Sequence, residues 1–216
     1  MIVELYQRER PERVVVCVDE LGPVRVGTYR GQTLLAPPSA RQSRPRATQE
    51  LDWGHRGGGF IFGALIPLTG EALTVPFDRS TGANWFAFLE RLERWVHEVS
   101  DAQEVVVILD NLATHKTLDS ALFRAAHPHW TFCFQPTRAA WLNLIEPWWR
   151  VLRSLALAGR RFATWDEIAT AVATATTYGN AHRHPFVWGR PRPLRQQRRV
   201  PGVGHAPILL PHELAG

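Results

Sequence analysis

Apolar residues along this chain change period several times, and the changes mark out its elements. The run RVVVCVD (13–19) is short, β-branched and closed by an acid, and PVRVGTY (23–29) follows a Leu-Gly-Pro stretch, so the two predict a first hairpin. A second hairpin is expected in GFIFGALIPLTGEALTVPF (59–77), where two apolar runs flank Thr69-Gly70. Ser80 or Thr81 then stands where a helix cap should be, ahead of Trp85, Phe86, Phe88, Leu89, Leu92, Trp95, Val96 and Val99 at helical spacing. EVVVILD (104–110) is a continuous apolar run of strand length, as expected of a strand covered on both faces. A helix over 118–126, the strand WTFCF, a helix over 141–158 and another over 164–178 complete the series, with Asp166 and Glu167 in the first turn of the last one. Strands first, then alternating helices and strands, then helices predict an α/β fold, a mixed central sheet flanked by helices.

Between Arg30 and Gly59 the pattern lapses into prolines, glycines and the arginines Arg41, Arg44, Arg46 and Arg56, which reads as a long functional loop. After His182 it lapses again: residues 183 to 199 hold six arginines, three prolines and no acid. The expected organisation is one domain over 1–182 and a basic, Pro/Arg-rich tail over 183–216.

Composition narrows the class. With 45% hydrophobic and 21% charged residues the chain suits a soluble globular protein, and no apolar run reaches the roughly 20 residues that span a bilayer. Charges interrupt the N-terminal stretch MIVELYQRERPERVVV where a secretory signal needs its apolar core, so a cytoplasmic protein with no membrane partner is expected. Cys17 and Cys133 each lie within an apolar run and read as reduced core residues. A net charge of +5 and a pI near 10 suit a polyanion. The basic residues are nearly all arginine, Lys116 being the single lysine, and a GC-rich genome would leave the same imprint. Charge alone therefore leaves DNA binding open.

Three carboxylates carry the candidate chemistry. Asp19 and Asp110 each end a predicted strand, and Glu146 lies in the helix that follows FQPTRAAWLNL. Side chains at the ends of neighbouring strands converge at one edge of a sheet, and a helix crossing that edge adds a third. Clustered carboxylates raise one another's pKa unless a divalent cation neutralises them. Hard Mg²⁺ or Mn²⁺ ions take such oxygen ligands, and in pairs about 4 Å apart serve both the attacking and the leaving oxygen of a phosphoryl transfer. Each acid has a plainer reading as well: Asp19 or Asp110 as a turn residue, Glu146 as the exposed partner of Arg150.

Taken together, VVVCVDE, LDNLATHK and FQPTRAAWLNLIEPWWRVL resemble the bacterial insertion-sequence transposases related to mariner elements, the IS six-thirty family. The 35 residues between Asp110 and Glu146 fit that family's spacing, and the resemblance runs from about Ile2 to Trp188, including Asn180 and Pro185-Phe186-Val187-Trp188. It implies an RNase H-like fold and two Mg²⁺ ions, replaceable by Mn²⁺, held by Asp19, Asp110 and Glu146. The implied reaction is hydrolysis at transposon ends followed by attack of the freed 3′-hydroxyl on target DNA, by a homodimer or larger assembly at the nucleoid. Asn111 and His115 match the motif beside the second acid, either to position a phosphate or water or as a hydrogen-bonded structural pair. Asn143 is expected either to orient Glu146 or to cap the helix start. Trp141, Trp148 and Trp149 are expected in the core. Arg41, Arg44, Arg46 and Arg56 are candidate phosphate contacts, with a solvated loop as the alternative.

Two departures from the family stand out. Relatives carry helix-turn-helix modules ahead of the catalytic domain, and no room for them precedes Arg13, so recognition of DNA ends is expected from a separately encoded module. The tail also replaces the family's short helical ending. A transposon-derived DNA-binding remnant and an RNase H-like nuclease without strand transfer therefore stand as rival expectations.

Overall fold

The computed structural model describes residues 2–8, 10–29 and 57–187. Its five strands are β1 (Arg13–Arg25), β2 (Gly58–Ile66), β3 (Glu71–Phe77), β4 (Glu104–Leu109) and β5 (Trp130–Phe134), in the order β3-β2-β1-β4-β5. β1 pairs antiparallel with β2 and parallel with β4, while β2–β3 is antiparallel and β4–β5 parallel. The sheet is mixed, as expected. The helices are α1 (Ile2–Gln7), α2 (Gly82–Val99), α3 (Leu118–Ala126), α4 (Ile145–Leu152) and α5 (Trp165–Ala181).

Both faces of the sheet are covered, and strand alternation sorts the side chains between two cores. Val14, Val16 and Val18 pack with Phe62, Trp85, Phe88, Leu92 and Phe123 under α2 and α3. Cys17 and Leu21 pack with Ile145, Trp148, Trp149, Leu152 and Val172 under α4 and α5. Both cysteines are free and buried.

Two elements differ from the sequence reading. The first hairpin is one long strand: Leu21 faces Ile61 and Val24 faces Gly59, so β1 gains a single extra residue at Gly22-Pro23 instead of turning back. A bulge is one of the few places where a strand tolerates proline, whose missing N–H leaves the ladder unpaired there. The helix expected over 141–158 is broken into a 3₁₀ turn (Ala140–Leu142), α4 and a π-type turn (Arg153–Leu157). Pro147 explains the late start: it is tolerated only in a first turn, where its absent N–H would have had no partner. α1, which the pattern does not announce, buries Ile2 and sends the Tyr6 hydroxyl to the Leu142 carbonyl at 2.7 Å, tying the chain's start to the turn before α4. α2 is capped by Thr81, whose hydroxyl accepts from the Asn84 amide at 3.2 Å. No described helix is long and apolar enough to cross a membrane.

Candidate active site

β1 and β4 run parallel with Cys17 opposite Ile108. Asp19 lies two residues further along β1, on the face that carries Cys17 and that α4 covers, and Asp110 is the residue that follows the end of β4. Glu146 lies in the first turn of α4, one turn before Trp149 and hence on the same side of the helix. The Trp149 indole N–H donates to Asp19 Oδ2 at 3.0 Å, which ties the helix to the middle of β1. On the other flank Asp19 is paired with Gly63, where a Cβ would come within 2.2 Å of the Trp149 ring. A glycine there is what lets the indole lie close enough to reach the acid.

Asp19 stands close enough to Glu146 and Asp110 for both to act on its carboxyl. Burial pushes its carboxyl up to about 6, Glu146 and Asp110 push in the same direction, and the Glu20 amide and Trp149 N–H only partly offset them. Asp110 goes the other way. Burial opposes its ionisation, yet the His115 imidazole at 3.0 Å and the Leu112 amide at 3.1 Å hold its carboxyl below the usual range. Both of those contacts use Oδ1, so Oδ2 is the oxygen left to a cation.

Glu20 points to the opposite face from Asp19, into the α2 side, where Ser80 donates to its Oε2 at 2.6 Å. There it meets His115, whose side chain is fully buried between two acids: Nδ1 lies 3.0 Å from Asp110 Oδ1 and Nε2 lies 3.6 Å from Glu20 Oε1. The second distance is an ion pair and too long for a hydrogen bond. Burial disfavours the imidazolium, but the two carboxylates prevail and push it up to about 9. His115 also stacks at 4.2 Å on Trp85, whose indole N–H donates to Ser120 at 2.9 Å. A buried imidazolium therefore braces Asp110 from behind.

The other sequence candidates have distinct placements. Asn143 is buried and its amide donates to the Val18 carbonyl at 2.9 Å, so it anchors the start of α4 to the residue before Asp19; its Oδ1 accepts from the Ile145 amide at 3.4 Å. Its link to Glu146 is through the backbone, the Glu146 amide reaching the Asn143 carbonyl at 3.2 Å. Asn111 donates to the Gln135 carbonyl, joining the segments that leave β4 and β5. Trp148 and Trp149 are buried, whereas Trp141, expected in the core, is 66% exposed. It lies in the 3₁₀ turn ahead of α4 and so off the helix's apolar stripe. Arg41, Arg44, Arg46 and Arg56 lie outside the described residues, as does most of the 183–216 tail.

Sequence reasoning missed Glu20 and Trp149 as parts of the site. For Glu20 a signal was available: in a strand covered on both faces, an acid next to Asp19 must enter the other core and needs a cation there.

A family model described as a DDE superfamily endonuclease matches residues 14–169, a span that includes all three acids and His115. This chain belongs to the DDE superfamily endonuclease family. Within the family it is similar to the "Insertion element IS630 uncharacterized 39 kDa protein" of Shigella sonnei, 26% identical over 93 residues, which are 43% of this chain and 26% of that protein. The fold of this DDE-family chain is similar to that in the Mos1 transposase paired-end complex with left transposon end (TM-score 0.59, 13% identity, 86% of this chain and 53% of that one). A pre-cleavage Mos1 transpososome is similar too, with a TM-score of 0.52 and 11% identity over 82% of this chain and 56% of that one. At such identity the likeness shows the fold alone, which is RNase H-like, and the chain spans about half the length of the Mos1 chains. The resemblance to mariner-related insertion-sequence transposases is borne out at the level of family and fold.

Proposed function

We propose that this chain is a transposase catalytic domain that hydrolyses phosphodiester bonds at transposon ends and joins the resulting 3′-ends to target DNA, with Asp19, Asp110 and Glu146 as ligands of paired Mg²⁺ or Mn²⁺ ions. The observation that supports the reading is that Glu146 and Asp110 both act on the Asp19 carboxyl, inside the span matched by the family. The donor set fits hard cations: it is all oxygen, and the Asp19 carboxyl is pushed up to about 6 by burial first and by Glu146 and Asp110 after it, a cost that a bound cation would relieve. Bound there, such ions supply Lewis-acid activation of the attacking oxygen and charge relief at the leaving one.

The chain's own residues do the rest. Trp149 orients Asp19 through Oδ2, and His115 orients Asp110 through Oδ1. Asn143 holds the start of α4, and with it Glu146, against β1. Arg41, Arg44, Arg46 and Arg56 would hold DNA phosphates, and a homodimer and a separately encoded helix-turn-helix module would complete recognition of DNA ends. A DNA substrate places the protein at the nucleoid.

The test is to incubate the purified chain with pre-cleaved duplex ends of its own element, a supercoiled target plasmid and Mg²⁺ or Mn²⁺. Joined molecules are expected, and Asp110→Asn should abolish them. Nicking without joining would reassign the chain as a nuclease. Salt-sensitive binding with neither product would make it a DNA-binding remnant.

A further inference from the structure

A second group of ligating side chains lies at the opposite edge of the sheet, around the entry to β5. Among the described residues, Glu93, His97 and His129 each offer one ligand atom, and these atoms all lie within 4.8 Å of one another. Glu93 and His97 are one turn apart on α2, with His97 Nε2 2.9 Å from Glu93 Oε1. His129, one residue before β5, brings Nε2 to 3.5 Å from the same oxygen. A tetrahedral ion with ligands at 2.0–2.1 Å spaces neighbouring donors by about 3.3 Å, and these two separations bracket that value. His127 stands beside the group, its Nε2 4.0 Å from Glu93 Oε1.

Two further features point to a ligand. Glu93 Oε2 and His129 Nε2 are buried and have no hydrogen-bond partner, a costly arrangement for a carboxylate and an imidazole that an ion would relieve. The scaffold is also rigid. The His129 carbonyl accepts from the Val105 amide at 3.0 Å, binding the segment to β4. His127 stacks on Phe123 and places Nδ1 2.8 Å from the Phe123 carbonyl, which leaves its Nε2 on the side of Glu93.

We propose that Glu93, His97 and His129 form a second metal centre, for a borderline divalent transition ion of the zinc class, with its fourth corner beside His127. The donor chemistry separates it from the three acids: two imidazoles and one carboxylate favour zinc-like ions, whereas an all-oxygen set favours magnesium. Position separates it as well, since Glu93 lies about 18 Å along the α2 axis from the Thr81 cap at a rise of about 1.5 Å per residue. The centre would staple the C-terminal half of α2 to the entry of β5. It does not depend on the catalytic reading.

The experiment uses the full chain, stripped with chelator, desalted and titrated with Zn²⁺ in millimolar Mg²⁺ to occupy the oxygen site. One tightly bound Zn²⁺ per chain is expected. His97→Ala and His129→Ala should each weaken it at least tenfold, while Asp110→Asn leaves it unchanged. Co²⁺ in place of Zn²⁺ should give visible bands of tetrahedral intensity that the two histidine variants lose. Glu93→Gln, which keeps shape and packing, should weaken binding too, and melting curves in chelator check that every variant folds. Failure of the wild-type chain to bind Zn²⁺ under Mg²⁺, or binding unchanged in both histidine variants, overturns the proposal.

Discussion

Replacing His115 by glutamine should cost stability in a way that depends on pH with a known sign. The side chain is fully buried between Asp110 and Glu20, so the substitution keeps much of the volume and some hydrogen-bonding capacity but removes the charge that both acids face. In the fold the imidazole rises from 6.5 to about 9, which corresponds to about 3 kcal/mol of preference for the protonated form. That figure is a ceiling, because Asp110 is 39% exposed and solvent screens its share, so about 1–2 kcal/mol is expected. A group whose pKa is raised on folding contributes fully below its unfolded value and loses the contribution as pH climbs through the folded one. The gap between wild type and His115→Gln should therefore be widest near pH 6 and close by about pH 10, apart from a constant packing difference. Urea unfolding in chelator, so that no cation competes for Asp110, measures it at each pH. A gap that stays flat from pH 6 to 10 would refute the buried imidazolium.

Trp149→Phe keeps a ring over Gly63 but removes the N–H that reaches Asp19. Losing a hydrogen bond to a charged acceptor costs about 1.5 kcal/mol, close to tenfold in Mg²⁺-dependent nicking near neutral pH, with the pH–rate profile displaced upward as Asp19 becomes harder to ionise; an unmoved profile would argue against the contact. Asp19 itself links metal to stability. Its carboxyl is raised to about 6 by burial and by its acidic neighbours, so in the metal-free chain it contributes stability as pH falls through 6 toward 4 and loses it above. Because cations bind the ionised form, the rise in melting temperature caused by Mg²⁺ should be larger at pH 7.5 than at pH 5, and calorimetry giving equal rises would contradict this assignment.

Much of the fold could be read from the chain, because it rests on local pattern. Trp85, Phe88, Leu89, Leu92, Trp95 and Val96 recur at helical spacing and do form the buried stripe of α2. The run ending in Asp110 is a strand covered on both faces. What escaped was set by partners remote in sequence. Gly22-Pro23 looks like a turn until β2 is seen running past it, where it becomes a bulge. Trp149 reads as packing, and is packing, yet its N–H reaches an acid 130 residues away because Gly63 leaves room. The group at Glu93, His97 and His129 escaped for the same reason, since 31 residues that include β4 and α3 separate its halves.

The middle of β1 shows how one strand can serve both of its faces. Alternation sends Asp19 under α4, toward Glu146 and Trp149, and sends Glu20 under α2, toward His115 and Ser80. Asp110, just past the end of β4, is gripped through Oδ1 by the histidine that Glu20 helps to keep charged. A buried histidine held near its unfolded pKa would spend much of its time neutral, and a neutral ring can face an acid on either side only with its one N–H. Asp110 and Glu20 together favour the doubly protonated ring, which keeps a proton on Nδ1 toward Asp110. The Asp-Glu pair in the middle of this strand thus divides its contacts: Asp19 takes the Trp149 N–H on one face, and Glu20 takes Ser80 and faces His115 on the other.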